Sequence, residues 1–338
     1  MTDTISERKN EHLDLCLTDG VESAALEPFS TIRLQHRAAP EMSFDDVSTE
    51  VTLLGKNLTL PLLVGSMTGG TERGAEINRR LAEAAQATGI GLALGSLRIG
   101  LTSEEALRGF DVRRYAPGIP LFANLGAVQL NYGVGVSDIV RVVKRLEVDG
   151  LFLHFNVIQE CFQPGGNRDF SALLPKIAEL CRDLPVPVLA KETGCGIDVE
   201  TARRLIDVGV RAIDVSGRGG TAWALVEGMR SKDPRLVRSA RQFAEQWGWS
   251  TAELLPLLRS ALPTATIIAS GGVRNGLDIA KALALGADVA SISRPLLRPA
   301  ETSSEAIVAE IEAIRYELKV AMLASASRDL CDLRSRLV

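Results

Sequence analysis

Aromatic side chains are scarce in this sequence, at 4% of 338 residues, and histidine occurs only three times. The hydrophobic residues, 46% of the chain, must then build a core from Val, Ile, Leu and Ala, which suits parallel strands covered on both faces by helices. No apolar run reaches the length of a bilayer span, and no early stretch is flanked like a signal peptide, so a soluble cytoplasmic protein is expected. A formal net charge of −4 supplies no basic footprint and excludes nucleic acid as the expected partner. The five cysteines, at 16, 161, 181, 195 and 331, form no Cys-x-x-Cys pair. They fit free thiols in a reducing compartment better than a zinc knuckle or a disulfide framework. Also missing is a Gly-x-Gly-x-x-Gly leading from a strand into a helix: the nearest match, Gly89, Gly91 and Gly95, brackets a strand, which argues against a doubly wound dinucleotide fold.

What is present is a repeating plan. Short apolar runs lie at 62–65, 90–94, 120–123, 151–154, 186–190, 212–215, 266–269 and 288–292. Helical patterns separate most of them, at 72–87, 137–148, 170–182, 198–208 and 276–285. Eight strands alternating with helices predict a closed α/β barrel, the (β/α)8 TIM barrel, whose active sites open at the C-terminal mouth. The length is tolerated by barrels as one unit, so the reading is a single domain: an N-terminal arm over 1–60 and a barrel over 61–338. Within the arm, residues 31–36 and 51–54 both alternate and are expected to form a short antiparallel pair. The stretch 223–262 is long for one connection and reads as an insertion of two or three helices after strand six. A C-terminal helix is expected over 304–327.

Each strand end is chemically loaded. The segment 151–160 starts as a buried strand and ends as His154, Asn156, Gln159 and Glu160. Strand geometry puts His154 and Asn156 on one face, with Gln159 and Glu160 on the loop beyond. Strand one runs into Ser66-Met67-Thr68-Gly69-Gly70, strand two into Ser96-Leu97-Arg98, and strand three into Asn124. Lys191 ends strand five, where desolvation penalises a lone cation, so it must face an anion, a carbonyl-rich ligand or a carboxylate. A Schiff-base lysine and a plain salt bridge both remain open at this point. Ser270-Gly271-Gly272 after strand seven, with Asn275-Gly276 opening the next helix, is placed where barrels build phosphate sites. Gly219-Gly220-Thr221 and Ile292-Ser293 would complete that cup.

Taken in order, Arg8-Lys9-x-x-His12-Leu13, Ser66-Met67-Thr68-Gly69-Gly70, His154-x-Asn156-x-x-Gln159-Glu160, Lys191-Glu192-Thr193-Gly194, Asp214-Val215-Ser216-Gly217-x-Gly219-Gly220-Thr221-x-Trp223 and Ser270-Gly271-Gly272-Val273-Arg274 resemble the motif set of type II isopentenyl diphosphate isomerases. The likeness spans residue 6 to about 325. It implies FMN in a (β/α)8 barrel, with reduced flavin required although the reaction, isopentenyl to dimethylallyl diphosphate in isoprenoid biosynthesis, has no net redox change. It further implies that Ser66, Met67, Thr68, Ser96, Asn124 and Lys191 hold the isoalloxazine ring. Ser216, Thr221, Gly271, Gly272, Ile292 and Ser293 would hold the ribityl chain and phosphate. Arg8, Lys9, His12, Ser96, Leu97, Arg98, His154, Asn156 and Gln159 would surround the diphosphate substrate, and Glu160 would hold Mg²⁺. NADPH as reductant and a homo-oligomer, a tetramer or octamer, come with the resemblance. No side chain stands out as acid or base toward carbon, which leaves flavin N5 for that role. The rival is an FMN-dependent 2-hydroxy acid oxidase on the same barrel. Such enzymes carry a catalytic histidine late in the chain, and here no histidine follows His154.

Overall fold

The expected strands are found, closed edge to edge. The computed structural model describes residues 5–22 and 27–338. Eight parallel strands form the barrel: Leu62–Val64, Gly91–Ser96, Leu121–Gly126, Gly150–His154, Val188–Lys191, Ala212–Asp214, Thr266–Ala269 and Val289–Ile292, called barrel strands one to eight. Strand eight pairs with strand one, Ala290 opposite Leu62, and so no edge remains in the barrel. Period-two alternation splits the strand side chains into two sets. Leu63, Ala93, Phe122, Phe152, Leu189, Ala212, Ile268 and Val289 fill the inside, while outward residues such as Leu62, Leu92 and Leu121 join the larger core beneath the helices.

Local chemistry sets the helices. Thr71 caps Glu72–Thr88 by accepting from the Gly74 N–H, and Gly89 stops that helix in a left-handed conformation. Three helices follow strand six, Trp223–Ser231, Pro234–Gln246 and Thr251–Ala261, in agreement with the expected insertion. The C-terminal helix runs Ser304–Ala324, preceded by Arg294–Thr302. Among the described residues, no helix is long and apolar enough to cross a membrane.

Two expectations are corrected. The antiparallel pair is Val51–Leu53 with Lys56–Leu58, and residues 31–36 do not take part; Leu34 makes only a single bridge, to Leu337. The reason is local: Leu54 and Gly55 both take positive φ, as a two-residue hairpin loop demands, so the strand folds back on its immediate neighbour. This hairpin plugs the N-terminal end of the barrel, where Leu53 and Leu58 join the inner core. The second correction concerns residues 156–160. The strand stops at His154, Asn156 is the residue before a helix Val157–Phe162, and Gln159 and Glu160 project from that helix instead of from a loop.

Candidate active site

A cavity of about 910 Å³ opens at the C-terminal ends of the strands, a volume suited to a cofactor together with a small substrate. Every residue that the resemblance assigns a role lines it except Leu97, whose side chain is buried in the core; of the residues expected in the phosphate cup, Gly219, Asn275 and Gly276 do not line it. The cavity has three walls of different chemistry.

The first wall comes from strands one to five. Ser66 and Thr68 present hydroxyls that are buried without a hydrogen-bond partner, so the protein leaves polar groups there for a ligand to satisfy. Asn124 Oδ1 lies 2.6 Å from His154 Nδ1. An amide oxygen only accepts, which places the imidazole proton on Nδ1 and leaves Nε2 as a lone pair. Burial, with Lys191 adding to it, pushes the His154 pKa down to about 3, so the ring is neutral at working pH. Burial also lowers the Lys191 pKa, against the opposing charges of Asp214 and Glu192. Its ammonium donates to the Glu192 carbonyl at 2.7 Å. Lys191 thus faces a carbonyl and has two carboxylates nearby.

The second wall is the glycine cup after strands six to eight. Gly271 and Gly272 have φ of +89° and +80°, and a Cβ on Gly271 would strike the Gly217 backbone, so both need glycine. Arg274 ties the two loops together, donating to Gly219 O at 2.8 Å and Gly272 O at 3.1 Å. Ser216, at φ +43°, is a non-glycine residue held in the left-handed region beside this cup. Thr221, Ile292 and Ser293 complete the wall. Asn275-Gly276 does not belong to it: Asn275 caps its own helix and the Gly276 N–H is taken by Glu317 at 2.7 Å. The loop amides, and not that helix end, are what the cup can offer an anion.

The third wall is cationic and amide-rich. The helix Ile5–Cys16 lies across the mouth and brings Arg8, Lys9 and His12 to the cavity, facing Arg98 and Gln159. Lys9 donates to the carbonyls of Gly69 and, at 3.2 Å, Ser96, and stands over the Phe110 ring at 5.2 Å. Burial, reinforced by neighbouring Arg8, brings its pKa down to about 7. Glu160, buried, accepts from Asn156 Nδ2 at 3.1 Å and from the Asn167 N–H at 2.6 Å. Those bonds hold a carboxylate at the cavity wall, suited in charge and hardness to a divalent cation; no cluster of three or more metal-ligating side chains occurs among the described residues.

The structure adds residues that the motifs did not single out. Glu227, fully buried in the first insertion helix, receives His12 Nε2 at 2.9 Å, Gln159 Nε2 at 3.1 Å and Arg230 Nη1 at 2.7 Å. Burial alone would raise its pKa; those bonds overcome it, and the carboxyl is lowered. With its amide oriented to pair at both ends, Gln163 donates to Glu227 Oε1 at 3.3 Å and accepts from Arg8 Nη1 at 3.1 Å. One carboxylate therefore ties the arm, the helix after strand four and the insertion together. Its only sequence signal is a lone acid in the apolar run Trp223-Ala224-Leu225-Val226-Glu227.

Fold and geometry define a (β/α)8 barrel protein with a large cavity at its C-terminal mouth. The family described as FMN-dependent dehydrogenase matches residues 162–338. Curated relatives named isopentenyl-diphosphate delta-isomerase are 45% identical in Rickettsia canadensis and 43% identical in Rickettsia typhi, each over 327 residues, 97% of this chain and 95% of the relative. The chain thus belongs to the isopentenyl-diphosphate delta-isomerase family and, with it, to the FMN-dependent dehydrogenases. Among solved structures, a mandelate oxidase (TM-score 0.67, 19% identity, covering 99% of this chain and 98% of that one) and a Pediococcus acidilactici lactate oxidase (0.68, 18%, 99% and 95%) share the fold.

Proposed function

We propose that this protein is a type II isopentenyl diphosphate isomerase, which moves the double bond of isopentenyl diphosphate to give dimethylallyl diphosphate with bound reduced FMN and Mg²⁺. The observation that carries the reading is the facing of two walls across one cavity. Ser66, Thr68 and Lys191 offer unsatisfied or cationic groups to a flavin ring, and Arg8, Lys9, His12, Arg98 and Gln159 offer donors to a diphosphate. The relatives' name supports the same assignment.

The buried serine and threonine hydroxyls, the glycine cup and the lysine fit FMN: hydroxyls and Lys191 for the ring, and the amides of 219–221 and 271–272 for the phosphate. When bound and reduced, FMN supplies a nitrogen, N5, able to exchange a proton with carbon. The chain's own groups do the rest. Lys191, its pKa lowered by burial, would be held charged by an anionic ring beside it. His154, neutral and with Nδ1–H given to Asn124, presents Nε2 as an acceptor toward the substrate and is no proton donor at neutral pH. Glu160 would anchor Mg²⁺ against diphosphate oxygens, since magnesium leans on substrate phosphate and few protein carboxylates. The arm helix covers the mouth, so donors and excluded water fix the polar end while the hydrocarbon tail, which offers no hydrogen bonds, is oriented by default. A cytoplasmic homo-oligomer reduced by NADPH is part of this proposal.

The match to FMN-dependent dehydrogenases favours one rival, a hydroxy-acid oxidoreductase. A single experiment separates the two. Anaerobic enzyme, photoreduced once, should convert isopentenyl diphosphate over many turnovers without further reductant and place one solvent deuterium in the product methyl group in D₂O. Product formation that stops at one equivalent per flavin, or requires stoichiometric NADPH, would overturn the isomerase.

A further inference from the structure

Glu192 belongs to a motif but to none of the three walls. It follows Lys191 at the end of barrel strand five, and its side chain turns back under the loop that comes next. Its Oε2 accepts from the Cys195 N–H and, at 3.3 Å, from the Gly196 N–H. The Thr193 and Gly194 amides lie close enough to favour this carboxylate's charged form. Two amides of the turn are thereby bonded to one acid, which ties 193–196 to the end of the strand. Two of its glycines need that shape: Gly194 at φ +127° and Gly196 at φ +86°.

What the turn does is visible on its other side. The Gly194 N–H donates to the Ser216 carbonyl at 3.0 Å and the Gly196 N–H at 3.1 Å. On the amide side, Ser216 N donates to the Asp214 carboxylate, which also accepts from the Ser270 hydroxyl. Ser216 is therefore gripped at both its carbonyl and its amide, and among the described residues it is the non-glycine residue of the cavity lining that takes positive φ. A left-handed serine costs free energy that its surroundings must offset. Thr221 is reached by the same turn, since a Cβ on Gly194 would lie 3.0 Å from the Thr221 carbonyl oxygen.

We infer that Glu192 is a positioning residue for the cofactor: through the 193–196 turn it holds Ser216 in the conformation that faces its hydroxyl to the bound flavin's polyhydroxyl chain. The inference rests on the FMN-binding part of the proposed function, and not on the reaction. Burial lifts the Glu192 carboxyl to about 7, with the turn amides and Lys191 opposing it. The turn amides and Lys191 are thus what favour its charged form against burial.

The test is a double-mutant cycle on flavin affinity, read by quenching of FMN fluorescence in titrations of the cofactor-free full-length protein. Glu192→Ala and Ser216→Ala should each weaken FMN about tenfold, and the double variant should be no more than about twofold weaker than either, because both remove one contact. Glu192→Gln retains the shape and covers the case in which the alanine variant misfolds. It should weaken FMN about threefold and speed amide hydrogen exchange at 193–196 and 216–217 in the cofactor-free protein, with the melting temperature little changed. Additive losses, or unchanged affinity with unchanged exchange at 216–217, would overturn the inference while leaving FMN binding intact. A wild-type protein that takes up no FMN would overturn the functional reading and this inference together. Tight FMN binding without isomerase activity would sink the reaction alone.

Discussion

The two ends of the barrel treat charge in opposite ways. At the N-terminal end, Asp149 accepts from the Leu121 N–H at 2.9 Å and from Arg113 at 2.7 Å, and Arg113 also donates to the carbonyls of Ala116, Ile119 and Glu147. Half a barrel away the arrangement recurs. Asp288 accepts from the Ile267 N–H at 2.9 Å and from Arg259 at 2.7 Å, and Arg259 donates to the carbonyls of Leu262, Pro263, Ala265 and Gly286. Each clamp gives the start of an odd strand an acceptor and sets its aspartate between two cations, Arg113 and Lys56 in the first, Arg259 and Arg334 in the second. At the mouth the groups are held against their charged forms instead: Lys9 near 7, Lys191 lowered, His154 near 3, each chiefly by burial. The lesson is a division of labour within one fold: pairs closed among themselves at the bottom stabilise, and groups left short of partners at the top are available to ligands.

The sharpest break of that contrast is at Lys191. Lys191→Met removes a cation of the mouth while keeping its volume. FMN affinity should fall about a hundredfold, and turnover at saturating FMN about a thousandfold, the scale of losing a preorganised electrostatic partner. The unfolding temperature of the cofactor-free protein should move little. The buried cation's desolvation cost is relieved while Asp214 and Glu192 lose its field, and the two effects oppose. Near-normal flavin affinity and turnover would show that the lysine is only a structural ion.

A smaller effect, with a different signature, is expected of Glu160→Gln. The amide keeps the shape but loses the charge that a divalent cation needs, and the Asn167 N–H and Asn156 amide must adapt to it. Activity should drop about a hundredfold at limiting magnesium, while the flavin absorption spectrum and FMN stoichiometry stay as in the wild type. Wild-type activity across a magnesium titration would remove the metal role.

This contrast also explains what could be read from the sequence. The eight strands were legible because a strand buried on both faces must be a short apolar run, and the cup was legible because Gly271 and Gly272 occupy backbone that only glycine adopts readily. The approach of Gly276 to the C-terminal helix looks the same in sequence as a glycine of the cup, yet it serves packing. The hairpin partner of residues 51–53 was misplaced because alternation marks a strand but does not name its neighbour; the positive φ of Leu54 and Gly55 does. Gln159 and Glu160 lie on a helix and not a loop because six residues, Val157–Phe162, are too few to show a period. Glu227 escaped notice for another reason. Its importance lies in three partners 215, 68 and 3 residues away, and such distances leave no local trace.

The smallest effect belongs to the bottom clamps, and it sharpens the contrast from the other side. Asp149→Asn leaves an oxygen for the Leu121 N–H but withdraws the charge that Arg113 and, at 3.0 Å, Lys56 face. Burial would raise the Asp149 pKa; the Leu121 amide, Arg113 and Lys56 outweigh it, and the carboxyl sits below its ordinary value of 3.8. A carboxyl depressed on folding adds stability that is fully present above 3.8 and is lost as pH falls through the folded value. Urea unfolding at pH 7 should therefore show the variant weaker by about 1–2 kcal/mol, a partly exposed pair being worth less than a fully buried one. The gap between variant and wild type should narrow steadily as the pH is taken below 3.8. FMN affinity and turnover should be untouched, because no clamp residue reaches the cavity. A stability gap that persists unchanged in acid would mean that the aspartate acts through shape and not charge, and a loss of flavin affinity would mean that the two ends of the barrel are coupled after all.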